Sequence, residues 1–381
     1  MKKNRGLFIS HADEYAGAPK ALFNILKFIT KEYPINIDVQ VNDFKNHGVF
    51  ESLKENNKLI NIVYKTKSRY RILRILKHRA FFIIKKIYFL NLIIKYNNFY
   101  DFIFFNSLSF SQLEFNLNKI NVPKYLYLHE GTIGLVTVLR NNYSVFNNFD
   151  VIFVPSAQVL DDLIQHGIDN SKITVLQLFL DQDEISSVSS NFSSKDETLV
   201  VGNLANLNLI KGTEYFLATA KLYVELYPND NILFRWKGYL KDSFYLALLK
   251  YEIANSGLNE VVFLEEKSKE KELFFSTIDV FLMTSKQETF GYVILEAANY
   301  SKPSIAFKKC IGASLFIDSY GGFTADYLSV KQLVLFLKEY YENRDLLKLH
   351  GAQANQLLNE RYILNDRLRI ELKSKFDFMF L

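Results

Sequence analysis

The sequence predicts an α/β protein made of two similar halves, each built on a mostly parallel β-sheet. Short runs rich in β-branched and aromatic residues alternate with longer segments of helical periodicity through most of the chain, which is typical of βαβ units. A polar, serine-rich stretch without periodicity interrupts this alternation at residues 180–197. Because 381 residues also suit two domains of ordinary size, we interpret the interruption as an interdomain linker.

Seven strands are predicted in the first half. Each is a short apolar run, and the clearest helices between them cover residues 18–33 and 157–167. The strands are predicted at residues 6–10, 36–41, 59–64, 101–106, 124–129, 150–155 and 172–177.

The second half repeats the pattern and then ends in helices. Its strands are predicted at residues 198–204, 231–236, 260–265, 278–285 and 303–307, with helices at residues 211–227, 242–256 and 290–300. From about residue 330 onward the pattern is helical. The predicted domains are therefore residues 1–180 and 198–360, and a C-terminal helix at 361–381 is expected to cross back to the N-terminal domain. Parallel sheets bind ligands beyond the carboxyl ends of their strands, so two facing sheets predict a site in the cleft between them.

Cysteine and histidine usage argues against structural metals and disulfides. The single cysteine, Cys310, excludes a disulfide framework or a thiolate cluster. The six histidines have no i, i+3 or i+4 pair among them, so no histidine-built metal site is predicted.

No secretory signal is predicted, because only about four apolar residues follow the basic start. The most apolar stretch, 81–94, is too short to span a bilayer, and we expect a cytoplasmic protein.

A concentrated basic segment dominates the charge of the first half. Residues 65–95 contain ten Lys or Arg and no Asp or Glu, although the whole chain has a net charge of only +5. Together with its Ile and Phe residues, segment 65–97 is typical of an amphipathic helix on an anionic membrane surface. The candidate membrane or acceptor contacts are Arg71, Arg74, Lys85 and Lys86. Two alternatives are a crossover helix with a solvated basic side and a nucleic-acid contact, although no nucleic-acid motif accompanies the segment.

Two glutamates bracket a predicted helix start in the second half. A buried strand ends at Met283, Glu288 follows in a loop, and the helix begins near Phe290 and Gly291. Glu296 then falls about five residues into the helix, or ~8 Å along its axis. A helix N-terminus after a strand favours a diphosphate, and carboxylates on either side of it suit the hydroxyl groups of a nucleotide sugar. The alternative is that both glutamates are solvated.

The same stretch, ETFGYVILEA, resembles the E-x7-E signature of retaining GT-B glycosyltransferases, family 4 (glycosyl transferases group 1). Residues 200–222 and 153–181 are similar to that family's Lys-Gly helix start and to its link into the hinge. The resemblance implies two Rossmann-like domains facing across a cleft. It implies catalytic roles for Glu288, His129 and Lys211, and donor contacts by Gly17, Asn203, Lys211, Thr289, Phe290, Gly291 and Glu296.

The resemblance also assigns individual tasks. Glu288 contacts the donor sugar, the backbone of Phe290 and Gly291 holds the diphosphate, and Glu296 binds the ribose. Lys211 neutralises the leaving diphosphate. Asn203 departs from the family, which often has an arginine directly after the glycine of this strand, so Lys211 or another basic residue is expected to compensate.

Two further features of the sequence are weaker. His11, after the first strand, is a candidate acceptor contact. The following loop resembles the family's glycine-rich first loop, but Gly17 is its one glycine. Asp181 and Asp183 imitate the D-x-D metal motif of the other glycosyltransferase fold, but they lie at the predicted hinge. We therefore predict no metal there and no cofactor.

The sequence thus predicts a bacterial retaining hexosyltransferase that uses a nucleotide diphosphate sugar. Its acceptor is expected to be a saccharide or lipid-linked saccharide in surface polysaccharide or glycolipid synthesis, at the inner face of the membrane. The alternatives are a nucleotide-sugar epimerase of the same fold and a non-catalytic membrane-bound scaffold. No feature indicates an oligomeric state or a nucleic-acid partner.

Overall fold

The computed structural model of the chain consists of two compact units. The first contains residues 1–178 and 369–381, and the second contains residues 179–368. The residues described are 5–13, 17–41, 49–56, 60–64, 91, 93–108, 117–140, 142–185, 198–239, 244–266, 271–310 and 312–380.

The first unit is a seven-stranded parallel sheet with the order β3-β2-β1-β4-β5-β6-β7. Its strands are β1 (Arg5–Ser10), β2 (Asn36–Val41), β3 (Ile60–Tyr64), β4 (Phe102–Asn106), β5 (Lys124–Tyr127), β6 (Val151–Val154) and β7 (Ile173–Val175). Its helices are α1 (Gly17–Glu32), α2 (Glu51–Asn56), α3 (Thr132–Leu139) and α4 (Ala157–Gln165). The order reverses beside β1, so the topological switch point, where such sheets bind ligands, lies between the ends of β1 and β4, with β5 next to β4.

The second unit is a six-stranded parallel sheet with the order β10-β9-β8-β11-β12-β13. Its strands are β8 (Leu199–Leu204), β9 (Ile232–Gly238), β10 (Val262–Glu266), β11 (Val280–Met283), β12 (Ser304–Phe307) and β13 (Phe323–Ala325). Its helices are α5 (Thr213–Leu226), α6 (Phe244–Asn255), α7 (Lys271–Ser276), α8 (Tyr292–Asn299), α9 (Ala313–Ser319), α10 (Val330–Glu342) and α11 (Arg344–Arg361). The switch point here lies between β8 and β11.

The predicted fold class is confirmed, since both units are Rossmann-like and every predicted strand is present. The sequence did not indicate β13, α7 or α9. These elements have three, six and seven residues, which is too short to display a clear period.

The last helix, α12 (Asp366–Phe380), packs on the first unit. The ring of Phe376 lies 6.0 Å from that of Phe28 and 5.5 Å from that of Phe153. Tyr33 stacks on Phe380 at 4.1 Å, and its hydroxyl donates to Asp377 at 2.7 Å. The C-terminal helix therefore completes the aromatic core of the N-terminal unit, as the fold prediction required.

Most of the basic segment, including Arg71, Arg74, Lys85 and Lys86, lies outside the described residues. Its end is described, and residues 93–99 are helical. Tyr96 donates to Gln40 at 2.8 Å, and Tyr100 donates to Asp38 at 2.6 Å, so two tyrosines anchor this end to β2. In the described part of the chain, no helix combines the length and the apolar character needed to cross a membrane.

Candidate functional site

An ion pair joins two of the predicted site residues at the carboxyl edge of the second sheet. Lys211, in the turn before α5, pairs with Oε1 of Glu288, in the loop between β11 and α8. Ser285 also donates to this oxygen, at 3.2 Å. The side chains are 30% and 14% exposed. Burial by itself lowers the pKa of Lys211, but the charge and hydrogen bond of Glu288 outweigh it and raise that pKa, so the lysine stays a cation.

Close backbone packing fixes this pair. Gly212 caps the N-terminus of α5 with φ +68°, and a Cβ at this position would overlap the carbonyl oxygen of Thr284. The backbone N–H of Lys286 donates to the carbonyl of Ile210 at 2.8 Å. The loop after β8 is therefore held against the loop after β11, and this brings Lys211 to Glu288.

Helix α8 begins beside the pair, at Gly291. This glycine is the N-cap with φ +90°, a conformation that L side chains rarely adopt, and a Cβ there would lie 3.0 Å from Cε of Met283. The side chain of Phe290 is buried, with its ring 5.6 Å from that of Tyr362. The dipole and backbone N–H groups at a helix N-terminus make such a helix start suited to an anion.

The second glutamate is also paired with a lysine. Glu296 is the fifth residue of α8 and accepts a hydrogen bond from Nζ of Lys271, the first residue of α7, at 2.8 Å. Its side chain is only 11% exposed. The interpretation of Glu288 and Glu296 as solvated surface residues is therefore wrong. Lys271 was missed by sequence reasoning, because it lies 25 residues before Glu296 in the chain.

Asn203, which stands in place of the family's arginine, is tied into the sheet. It lies in β8, is 2% exposed, and its amide donates to the carbonyl of Leu282 in β11 at 2.7 Å. This bond braces the two strands at the switch point. Its role towards a donor stays a prediction.

In the first unit, His129 is held by a buried amide. Its Nε2 lies 3.0 Å from Oδ1 of Asn106, and Nδ2 of Asn106 donates to the carbonyl of Ala18 at 2.7 Å. Because the Asn106 oxygen faces the ring, Nε2 carries the proton and Nδ1 is the acceptor. Asn106 connects the ends of β4 and β5 to the start of α1, a link the sequence did not reveal.

The neighbouring Ser107 and Glu130 stabilise the same edge. Ser107 donates to Glu130, whose other oxygen accepts from the backbone N–H of His129 at 3.2 Å. Ser107 has φ +124°, a rare conformation for a residue with a Cβ that indicates local strain. Such strain is common at binding sites.

Burial lowers the pKa of His129 to about 3, with a smaller contribution from His11 nearby. The folded protein therefore keeps this ring neutral at pH 7.

The low pKa of His129 predicts a loss of stability in mild acid. The unfolded chain binds a proton near pH 6.5 and the folded chain only near pH 3, so stability falls as the pH drops between these values. We expect His129→Gln to remove up to about 1.4 kcal/mol of the destabilisation at pH 5.5 relative to pH 7.5. Urea unfolding of both proteins at the two pH values measures this. The same pH dependence in both proteins would contradict the burial of the ring.

Three further predicted site residues, Gly17, His11 and Thr289, are placed by the structure without a test of their roles. Gly17 opens α1 with φ +55° and open space around it, while residues 14–16 are outside the described part of the chain. Nδ1 of His11 is buried without a hydrogen-bond partner among the described residues. Thr289 lies on the loop before α8, and its carbonyl approaches Gly312 closely. These three residues stay predictions.

Asp181 has a local structural role. Its side chain accepts from the backbone N–H of Gln182 at 2.7 Å, and Glu184 accepts from the backbone N–H of Asp181 at 3.2 Å. This reciprocal arrangement is a capping box. Within the described residues, no group of three His, Cys, Asp or Glu is placed to hold a metal ion.

The comparison with known families decides the identity of the second unit. Residues 182–356 match the family model described as "Glycosyl transferases group 1". The C-terminal unit of the chain belongs to the glycosyl transferases group 1. This family assignment agrees with the one predicted from the E-x7-E stretch and the Lys-Gly helix start.

Two curated proteins are similar to this chain over part of their length. The O-antigen biosynthesis glycosyltransferase WclY of Escherichia coli is 28% identical over 164 residues, which is 43% of this chain and 41% of WclY. The alpha-galactosylglucosyldiacylglycerol synthase of Streptococcus pneumoniae is 25% identical over 237 residues, 58% of this chain and 60% of the synthase. The matches thus span less than two thirds of either relative.

A solved structure resembles the whole chain. Anabaena HepE, crystallised in complex with UDP and glucose, superimposes with a TM-score of 0.76, covering 98% of this chain and 99% of HepE at 17% identity. At this identity the likeness shows the fold, which is that of the GT-B glycosyltransferases.

Proposed function

We propose that this protein is a retaining hexosyltransferase that moves a sugar from a nucleotide diphosphate sugar to a saccharide or lipid-linked saccharide. The observation that carries the proposal is the Lys211–Glu288 ion pair beside Gly291, where α8 begins at the edge of a parallel sheet. A cation, a carboxylate and a helix N-terminus suit a sugar joined to a diphosphate.

The donor diphosphate binds at the start of α8, through the backbone of Phe290 and Gly291 with Thr289 nearby. Lys211 provides a half-buried positive charge for the diphosphate as it leaves, which favours a transition state in which the anomeric C–O bond is breaking. With this lysine and the helix dipole in place, the reaction needs no metal ion or other cofactor. UDP is the first nucleotide to test, because HepE was crystallised with UDP.

Glu288 contacts the sugar hydroxyl groups and stabilises positive charge at the anomeric carbon. Glu296 binds the ribose on the other side of the diphosphate, about five residues along α8. His129 contacts the donor sugar as a neutral ring, with Nδ1 as acceptor. Asn203 and Gly17 complete the proposed donor contacts, and His11 is proposed to contact the acceptor.

The acceptor is proposed to be a surface saccharide or a glycolipid at the inner face of a bacterial membrane. In support, the names of the two curated relatives refer to O-antigen biosynthesis and to a glycosylated diacylglycerol. The basic segment 65–97 gives the N-terminal domain, residues 1–180, its proposed affinity for an anionic membrane.

The membrane proposal predicts the effect of charge reversal. Replacing Arg71, Arg74, Lys85 and Lys86 by Glu is expected to release the protein from anionic liposomes, because each basic residue near such a surface contributes up to ~1 kcal/mol. Co-sedimentation with phosphatidylserine vesicles measures this. The control changes four exposed lysines of the second unit in the same way: Lys221, Lys250, Lys331 and Lys348. Equal sedimentation of both variants and the wild type would contradict the proposal.

The proposed reaction is tested with a panel of UDP-, GDP- and ADP-sugars. Release of nucleoside diphosphate that depends on added acceptor, with the anomeric configuration of the product retained, supports the transferase. Isomerised donor without acceptor would instead indicate the epimerase, and no turnover of any donor would indicate the scaffold.

A further inference from the structure

The Lys271–Glu296 pair gives the second glutamate a fixed direction. Glu296 is 11% exposed and accepts from Lys271 at 2.8 Å. Burying a carboxylate is costly unless a partner offsets the lost hydration. The ion pair with Lys271 offsets this cost and holds the carboxylate in one orientation within the side of α8.

The lysine reaches Glu296 from a different crossover connection. Lys271 is the first residue of α7, which links the edge strand β10 to β11, while α8 links β11 to β12. Helix α7 is attached firmly: Phe275, on α7, stacks on Tyr300 at 5.3 Å with an angle of 10° between the rings. The pair is thus held by the packing of two elements and not by one flexible loop.

The Lys271–Glu296 pair lies away from the start of α8, where the diphosphate is proposed to bind. Glu296 lies five residues beyond the N-cap Gly291, which is about 7.5 Å along the axis at 1.5 Å per residue. The phosphate-facing cation, Lys211, pairs instead with Glu288 before the helix. The two lysines therefore serve different parts of a ligand that lies along this helix.

We infer that Lys271 is a positioning residue, which orients the Glu296 carboxylate to accept hydrogen bonds from the ribose hydroxyl groups of a nucleoside diphosphate. The inference rests on the proposed function and deepens it. A carboxylate offers about four acceptor positions, and Lys271 Nζ occupies one of them on Oε1. Without the lysine, the carboxylate loses this orienting contact, and it no longer distinguishes a ribose from a dideoxyribose.

The test measures recognition of the ribose and not activity. Isothermal titration gives the affinities of the full chain for UDP, GDP and ADP and for their 2′,3′-dideoxy forms. We expect the wild type to bind at least one ribonucleotide about 10-fold or more tightly than its dideoxy form, as for a hydrogen bond to a charged group. In Lys271→Met this ratio should fall towards one, and Lys271→Arg, which keeps the charge, should restore part of it.

The matched control is Lys338→Met. Lys338 pairs with Asp230 at 2.8 Å, with exposures of 19% and 14%, elsewhere in the same unit. Its loss should lower the melting temperature to a similar extent while the ratio of affinities stays at the wild-type value.

The outcomes separate the inference from the proposed function. If Lys271→Met weakens the ribo and dideoxy forms equally, the lysine serves the phosphates or the fold, and the inference is overturned alone. If none of the nucleotides binds the wild type, the proposed function is overturned and the inference with it.

Discussion

Glu288→Gln is expected to lower the rate of sugar transfer by about 100-fold or more, in the range found when one preorganised electrostatic group is removed. The carboxylate is placed by Lys211 and Ser285 beside the start of α8. The amide keeps the shape and still accepts a hydrogen bond from the lysine, but it brings no negative charge to the anomeric carbon. Initial rates at saturating donor, with the melting temperature, measure the effect.

A half-buried glutamate elsewhere in the second unit provides the control. Glu265 pairs with Arg235 at 2.5 Å, and both side chains are 26% exposed. Glu265→Gln should cost a similar amount of stability, about 1 kcal/mol, and leave the transfer rate unchanged. A Glu288→Gln enzyme with near-normal turnover would remove Glu288 from the catalytic site.

Gly212→Ala is expected to destabilise the second unit by about 2–5 kcal/mol. An alanine at φ +68° costs about 1–2 kcal/mol for its backbone conformation. Its Cβ would also overlap the carbonyl oxygen of Thr284, and the resulting backbone shift adds a further ~1–3 kcal/mol. The same shift moves Lys211 away from Glu288, so transfer should fall as well. Urea unfolding monitored by Trp236, in β9, measures the stability.

Gly257 offers a control with the same backbone conformation. Its φ is also +68°, but nothing lies within 4 Å of a Cβ built there. Gly257→Ala should therefore cost only the conformational part, about 1–2 kcal/mol, and should not affect transfer. Equal losses of stability for the two variants would show that the contact with Thr284 has no energetic weight.

The strands and the longer helices could be predicted because their patterns are local. The strand, loop and helix that carry Glu288, Gly291 and Glu296 follow one another within one stretch of chain, so the sequence displays them together.

Lys271 and Asn106 could not be predicted, because their partners are set by strand order. Lys271 reaches Glu296 only because the chain crosses from the edge strand β10 over β9 and β8 to β11. Asn106 reaches His129 because β4 and β5 are neighbours. From the sequence alone, a polar residue at a strand end is interpreted as a turn residue, because the adjacent strand that carries its partner is not known. The same applies to Asn203, whose bond to β11 joins residues 79 positions apart.

The position of α12 has a consequence for the order in which the chain matures. The second unit, residues 179–368, has all its elements once its own residues have left the ribosome. The first unit is synthesised earlier but lacks Phe376 and Phe380, which pack against Phe28, Phe153 and Phe102. Its aromatic core therefore stays partly open to solvent, and accessible to chaperones, until residues 366–380 emerge. The first unit, which is synthesised before the second, is thus completed after it.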